Sequence, residues 1–433
     1  LQLRFRYPRS FIPRVEVFKT FISKIFPYWL AAAITALVSV LYAKVFAWSE
    51  DLAFSWTRSL GYWCFLIIPL ALLVSFLMSH FGSPEASGSG IPQLIAAVEM
   101  APSENPMLKK LLGWSMIFIK FLSSCVCVAG GGVTGREGPM LQIAAGLFYQ
   151  VRRYWPVKIN VQQMILAGGA AGLASAFNTP LGGIVFAIEE LGKVHLSQIR
   201  TYIFHSVIIA GLFAQAVLGN YLYIGKITVV GSGFSHIWPE ALVALFIGSC
   251  AALMGVLMVK VLDWRSKQKL VIKSALAIGC GLIIAILLTS MGPHTVGSGR
   301  HLIIELLTQS KEPADFILAL NRMATNFLTY IAGTVCGIFA PSLATGAVFG
   351  SFFSQFFPGS DPHLWILTGM VAFLTGVTRT PFTAMVLVLE MTDSHGAIID
   401  LMVCAIMAQT AARLIDPVSF YEHMSERILH RHS

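Results

Sequence analysis

Several stretches of this chain, among them Gly61 to Ser79, Thr201 to Gly225, Ala241 to Val259 and Ser274 to Pro293, run for the length of a bilayer crossing without one Asp, Glu, Lys or Arg. A helix needs about 20 apolar residues to cross the hydrocarbon core. In lipid every backbone polar group must be satisfied internally, so such stretches fold as helices. Another uncharged stretch, Met323 to Ser360, is too long for one simple span and holds Gly333, Gly337, Gly346, Gly350, Pro341 and Pro358. These breakers predict short, interrupted helices. Irregular backbone at membrane depth survives only where protein buries it or where it lines a watery cavity, so the breaks point to a permeation path. Of the 433 residues, 56% are hydrophobic and 12% charged, against roughly 25% charged in soluble domains. No soluble core of this size could hide that much apolar side chain. The expected fold is an all-α integral membrane protein.

The net charge of +9 does not indicate nucleic acid, because it is clustered beside apolar segments. Arg4, Arg6, Arg9, Arg14, Lys19 and Lys24 stand against Glu16 near the start. Lys260, Arg265, Lys267, Lys269 and Lys273 stand against Asp263, and Arg413, Arg427 and Arg431 lie in the tail. The positive-inside rule then places both termini and the 260–273 loop in the cytoplasm and the segment 226–240 outside. The expected organisation is a basic cytoplasmic segment 1–28, a first membrane half 29–225, an extracytoplasmic connection 226–240, and a second half 241–433 with a short cytoplasmic tail. The start does not read as a secretory signal, and no large soluble domain is expected before residue 28 or after residue 433. The seven cysteines, Cys64, Cys125, Cys250 and Cys404 among them, sit in apolar surroundings and read as buried hydrophobes. The eleven histidines form no metal-ligand cluster.

The chain is a duplication. Gly168 to Glu189 reads GGAAGLASAFNTPLGGIVFAIE and Gly369 to Glu390 reads GMVAFLTGVTRTPFTAMVLVLE. At one offset of 201 residues the first glycine, the Thr-Pro pair, the apolar run and the glutamate coincide. Gly135-x-x-x-Pro139 answers Gly337-x-x-x-Pro341, and Gly88-Ser89-Gly90 answers Gly297-Ser298-Gly299. Repeated halves in a membrane protein usually mean a channel or transporter with a pseudo-two-fold axis. The sequence does not itself show whether the halves are inverted, and inversion is the expectation.

Three motifs carry the chemistry: Gly88-Ser89-Gly90-Ile91-Pro92, Gly135-Arg136-Glu137-Gly138-Pro139 and Gly337-Ile338-Phe339-Ala340-Pro341. Each is a glycine turn followed by a proline suited to the first turn of a helix. Helix N-termini expose unpaired N–H groups and about half a positive charge. Several aimed at one point hold an anion without a full cation, and the Ser89 hydroxyl adds a donor. Taken singly, each motif reads equally as helix packing.

Together, the stretches PEASGSGIPQL, VTGREGPMLQ, GIFAPSLATGAVFG and AFNTPLGGIVFAIEE resemble the CLC family of chloride channels and transporters, over roughly residues 29 to 429. The resemblance implies a CLC-type fold of two repeated halves with many tilted and broken helices. It implies a compact bacterial-type chloride/proton antiporter in a bacterial inner membrane, and a homodimer with one pore per subunit. Chloride and protons would be the transported ions, the bilayer would be the surrounding partner, and no cofactor, metal or nucleic acid is involved. It implies that Ser89, the backbone N–H groups of Ile338 and Phe339, and a C-terminal tyrosine line the anion site. That tyrosine is Tyr421 if two residues are inserted after Pro417. Without the insertion Ser419 stands there. Cys336 occupies a place where the family usually has glycine.

Glu137 is a carboxylate at membrane depth, which costs about 2.5–3.5 kcal/mol on insertion scales. A pairing with Arg136 is poor, because adjacent helical residues do not face each other. The resemblance makes Glu137 a gate that competes with chloride for the helix ends and carries the external proton. Glu189 and Glu190 read either as an interfacial pair closing a span or, for Glu190, as the internal proton-transfer group the resemblance implies. Glu390, the repeat mate of Glu189, has no assigned role. Lys120 and Arg136 read equally as pathway electrostatics and as anchors for broken helices.

Three alternatives compete with chloride/proton exchange. A passive channel of the same fold is disfavoured by Glu137 and Glu190. Exchange of another anion is disfavoured by Ser89, since nitrate-preferring relatives carry proline there. An intramembrane enzyme lacks a histidine partner for Ser89 and a Gly-x-Ser-x-Gly motif.

Overall fold

The computed structural model describes residues 23–59, 61–103, 105–191, 200–219, 222–229, 231, 237–309 and 312–432. The basic residues from Arg4 to Lys19 and part of the 226–240 connection lie outside them. The helices are α1 Phe26–Ser59, α2 Cys64–Gly82, α3 Ile91–Met100, α4 Leu108–Leu111, α5 Trp114–Ala129, α6 Glu137–Tyr154, α7 Val161–Phe177, α8 Pro180–Glu189 and α9 Arg200–Leu218. The second half continues with α10 Ile237–Ser266, α11 Leu270–Met291, α12 Arg300–Thr308, α13 Phe316–Ile331, α14 Phe339–Ser354, α15 Pro362–Thr378, α16 Pro381–Thr392, α17 Ile398–Ile415 and α18 Phe420–His432. Helix α1 starts at Phe26 and α10 at Ile237, with Tyr28 and Glu240 buried within them.

Six helical stretches among the described residues are long and apolar enough to cross a membrane: Phe26–Thr57, Gly61–Gly82, Leu108–Ala129, Ile237–Ser266, Leu270–Met291 and His395–Ile415. Large apolar side chains face outward along α9 (Phe204, Ile208, Leu212) and α11 (Val271, Ile283, Ile286). Water would penalise such surfaces and lipid does not. The uncharged stretch Met323 to Ser360 is indeed broken: α13 ends at Ile331 and α14 starts at Phe339. Six of the cysteines are buried and Cys250 is half-buried, so that one residue departs from the buried reading. All seven are free thiols.

The duplication is visible in backbone detail. Gly88 and Gly90 have φ of 72° and 104°, and Gly297 and Gly299 have 73° and 88°. Asn178 and Arg379 end α7 and α15 in the left-handed conformation, at φ 58° and 64°. Asn160 and Asp361 cap the starts of the same two helices with their side chains. Small residues let equivalent pairs approach closely. Gly172 of α7 lies on Ala144 and Leu141 of α6, and Gly346 of α14 lies on the backbone of Gly369 in α15.

The α8–α16 pair fixes the relation of the halves. The carboxylate of Glu189, at the end of α8, accepts the N–H groups of Phe382 (3.2 Å) and Thr383 (2.7 Å) at the start of α16. That of Glu390, near the end of α16, accepts those of Leu181 (3.1 Å) and Gly182 (2.9 Å) at the start of α8. Equivalent helices therefore run in opposite directions, as inverted halves require.

Candidate anion site

The three glycine turns clasp one another at the centre of the molecule. A Cβ on Gly138 would lie 2.5 Å from the Ser89 hydroxyl oxygen and 2.8 Å from its carbonyl oxygen. Only glycine lets the second motif approach the first this closely. Gly135 N–H donates to the Gly337 carbonyl (2.9 Å), forming an isolated antiparallel bridge between the second and third motifs. Gly337 N–H donates to Thr134 Oγ1 (2.9 Å) and Cys336 N–H to the Gly88 carbonyl (3.3 Å). Cys336 is buried, its thiol donates to the Val133 carbonyl, and its φ is not left-handed, so glycine is not required there.

The helices α3, α6 and α14 start from this knot. Their N-cap positions, Gly90, Arg136 and Ile338, make no side-chain cap hydrogen bond, and Pro92, Pro139 and Pro341 stand in their first turns. The N–H groups of those turns are thus left for another acceptor. Ser89, Ile338, Phe339 and Tyr421 are all fully buried here. The Tyr421 ring stacks on Phe339 (centroids 6.3 Å apart, planes at 12°). Its hydroxyl comes close to Ser89, yet neither the Ser89 nor the Tyr421 hydroxyl has a hydrogen-bond partner. Ser419 is elsewhere: its hydroxyl accepts the Glu422 N–H (3.1 Å) at the start of α18. Buried orphan hydroxyls are costly, and here two of them lie beside a helix start without a side-chain cap.

Glu137, at the first position of α6, is fully buried. Its Oε1 accepts a hydrogen bond from the Tyr223 hydroxyl (3.0 Å), and its Oε2 has no hydrogen-bond partner and lies over Gly135. Tyr223 lies past the end of α9, and nothing in the sequence marked it. The Phe177 ring meets its edge (5.1 Å), and the guanidinium carbons of Arg136 and Arg300 lie 5.5 Å and 5.2 Å from its centroid. Arg136 also donates to the Ala176 carbonyl (3.3 Å).

Two fully buried cations hold the turns. Lys120 Nζ donates to the carbonyls of Ala86 (2.9 Å) and Gly88 (3.3 Å) and to Gln142 Oε1 (2.7 Å). Its counterpart Arg322 donates to the carbonyls of His294, Val296 and Gly297. Sequence reading missed Arg322, although its place in the repeat could have revealed it. It also missed Glu50, a buried carboxylate on α1 that accepts the Ser298 N–H (2.6 Å) and hydroxyl (2.7 Å). Ser298 is the second-half counterpart of Ser89.

Glu190 closes α8, its N–H donating to the Phe186 carbonyl. It lines a cavity of about 530 Å³ with Glu99, Glu189, Arg379, Ser419 and Glu422. The structure thus brings Ser89, Glu137, Ile338, Phe339 and Tyr421 together, with Lys120 and Arg136 around them, and sets Glu190 apart in that cavity.

The sequence profile of the voltage gated chloride channel family matches residues 70–413. The chain belongs to that family. Its members include proteins named H(+)/Cl(-) exchange transporter ClcA. The one from Salmonella paratyphi A is 27% identical, and the one from Klebsiella pneumoniae subsp. pneumoniae 28%. Each alignment covers 95% of this chain and 90% of the relative. Among solved structures, a slow cyanobacterial Cl-/H+ antiporter aligns with TM-score 0.83 at 22% identity, covering 94% of this chain and 98% of that one. A CLC-type fluoride/proton antiporter aligns with TM-score 0.77 at 17% identity, covering 95% and 99%. Family membership and the long apolar helices make this a multi-pass integral membrane protein.

Proposed function

We propose that this chain exchanges chloride for protons across a membrane and is a transport protein rather than an enzyme. One observation carries the reading. The hydroxyls of Ser89 and Tyr421 and the free oxygen of Glu137 are buried and lack partners, around the start of α14. The hydroxyls and the N–H groups of Ile338 and Phe339 offer donors, and chloride accepts them. A deprotonated Glu137 competes for those donors and occludes the path. Once protonated it loses that attraction, swings away and admits the anion, carrying a proton in the same movement. Glu190 is the inner proton station, facing its own cavity. Lys120 holds the first-half glycine turn by its carbonyls and so positions Ser89, while Arg322 holds the second-half equivalent. The names of the ClcA relatives, which specify H+/Cl− exchange, support the same reading.

The finer placement follows the charge pattern and the resemblance: both termini in the cytoplasm, a bacterial inner membrane, and a homodimer with one pore per subunit. Site-specific labelling of cysteines at either end, and cross-linking in membranes, test those points.

The decisive experiment is paired chloride and proton flux from liposomes containing purified protein. A chloride gradient should drive protons uphill in wild type, and Glu137→Gln should keep chloride flux while losing proton flux and pH dependence. If wild type moves chloride with no proton movement, it is a passive channel. Fluoride or nitrate outcompeting chloride would overturn the assignment of the anion.

A further inference from the structure

We propose that Tyr223 is a latch on the gate: its hydroxyl holds the Glu137 carboxylate in the occluding position and sets how much acid is needed to open the path. The inference rests on the exchange reading, in which Glu137 gates. Four observations carry it. The Tyr223 hydroxyl donates to Glu137 Oε1 at 3.0 Å. The tyrosine is 3% exposed, so water does not compete for that bond. Arg136 and Arg300 lie over the ring, 5.5 Å and 5.2 Å from its centroid, and the Phe177 ring packs steeply tilted against it. Its backbone is pinned as well, because Arg300 Nε donates to the Tyr223 carbonyl at 3.0 Å. A donor fixed at ring and backbone is preorganised, so little entropy is lost when it binds the carboxylate.

The chemistry is directional. A phenol O–H donates strongly to a carboxylate and weakly to a neutral carboxyl, since bonds to ionised acceptors are about twice as strong. Tyr223 therefore favours the deprotonated, occluding Glu137 over the protonated, mobile one. Arg136 favours the same form by charge. The other charged or titratable groups facing the pair are Arg300, Glu50 and Tyr42. A tyrosine-to-phenylalanine change leaves all of them in place. It also leaves the ring packing, so a merely structural role for Tyr223 predicts no change in pH response.

The test is chloride efflux from proteoliposomes across a series of external pH values, for wild type and Tyr223→Phe. With the latch gone, Glu137 protonates more readily, so half-activation should move toward higher pH by about one unit, a roughly tenfold change in required proton concentration. Chloride turnover at neutral pH should rise accordingly. Placing Tyr223→Phe in the Glu137→Gln background should abolish the shift, because no titrating gate remains to be latched. Superimposable profiles for wild type and Tyr223→Phe overturn the latch. So does a shift that persists in the Glu137→Gln background. Proton flux measured in the same vesicles separates this from the broader reading: coupled exchange in wild type with an unmoved profile sinks the latch alone, whereas uncoupled wild type sinks exchange and leaves the latch to be judged on the chloride profile.

Discussion

Glu189 and Glu390 cap each other's helices. Each carboxylate leaves the end of its own helix and accepts two N–H groups at the start of the other. Reciprocal capping of this kind requires the two helices to run antiparallel. It gives Glu390 the role its sequence position did not disclose, and it engages the Glu189 carboxylate, which lines the same cavity as Glu190. Charge-assisted caps of this kind contribute about 1–2 kcal/mol each. Glu390→Ala should therefore lower the unfolding temperature of detergent-solubilised protein by several degrees while chloride flux persists. An unchanged melting curve would show that the caps contribute nothing measurable.

Glu190→Gln should stop proton movement without closing the chloride path. Glu190 and Glu137 lie in separate surroundings, one in an open cavity and one buried at the motif knot. Chloride flux in the mutant should still rise with external acid, because Glu137 can titrate from its own side. Normal coupling in Glu190→Gln would transfer the inner role to another group of the same cavity, with Glu99 and Glu422 the first to test.

Tyr421→Phe removes one buried, partnerless hydroxyl and keeps the stack on Phe339. Chloride binding, followed by calorimetry, should weaken by about fivefold to tenfold, as expected for losing one hydrogen bond to an anion. Ser419→Ala removes an acceptor of the Glu422 N–H instead. It should cost about 1 kcal/mol of stability and leave chloride affinity alone. The opposite pattern would show that Ser419, not Tyr421, faces the ion.

Lys120→Met should prevent recovery of monodisperse protein on gel filtration. The ammonium satisfies two carbonyls and the Gln142 side chain in a fully buried setting, and breaking such a group costs about 3–5 kcal/mol. Lys120→Arg should fare little better, since a planar guanidinium does not fit a site shaped for a point charge. A well-folded, active Lys120→Met protein would instead return Lys120 to a purely electrostatic role.

The fold was legible because two of its causes are one-dimensional. Charge-free length reports membrane spans, and a fixed offset reports duplication. Glycine and proline marked the broken helices for the same reason, since their backbone demands are local. What the chain returns from a distance was not legible. Tyr223 reaches Glu137 across 86 positions, and Glu50 reaches Ser298 across 248. Neither residue lies in a motif, and a buried partner of this kind leaves no periodic trace. Lys120 and Arg136 were ambiguous because a cation near a path and a cation holding carbonyls have the same sequence signature. Arg322 was recoverable in principle: it is the repeat counterpart of Lys120 and holds the equivalent turn of the second half.

The contact between Glu50 and Ser298 shows two copies of one turn put to different uses. Both halves inherited a Gly-Ser-Gly turn that opens a helix. In the first, the serine hydroxyl is left without a partner. In the second, a carboxylate from the chain itself is bound by the serine N–H and hydroxyl. The copy is not erased but plugged: its donors serve as a rivet between α1 and the start of α12. Ancestral symmetry thus survives as architecture, one carboxylate engaging in the second half a serine hydroxyl that has no partner in the first.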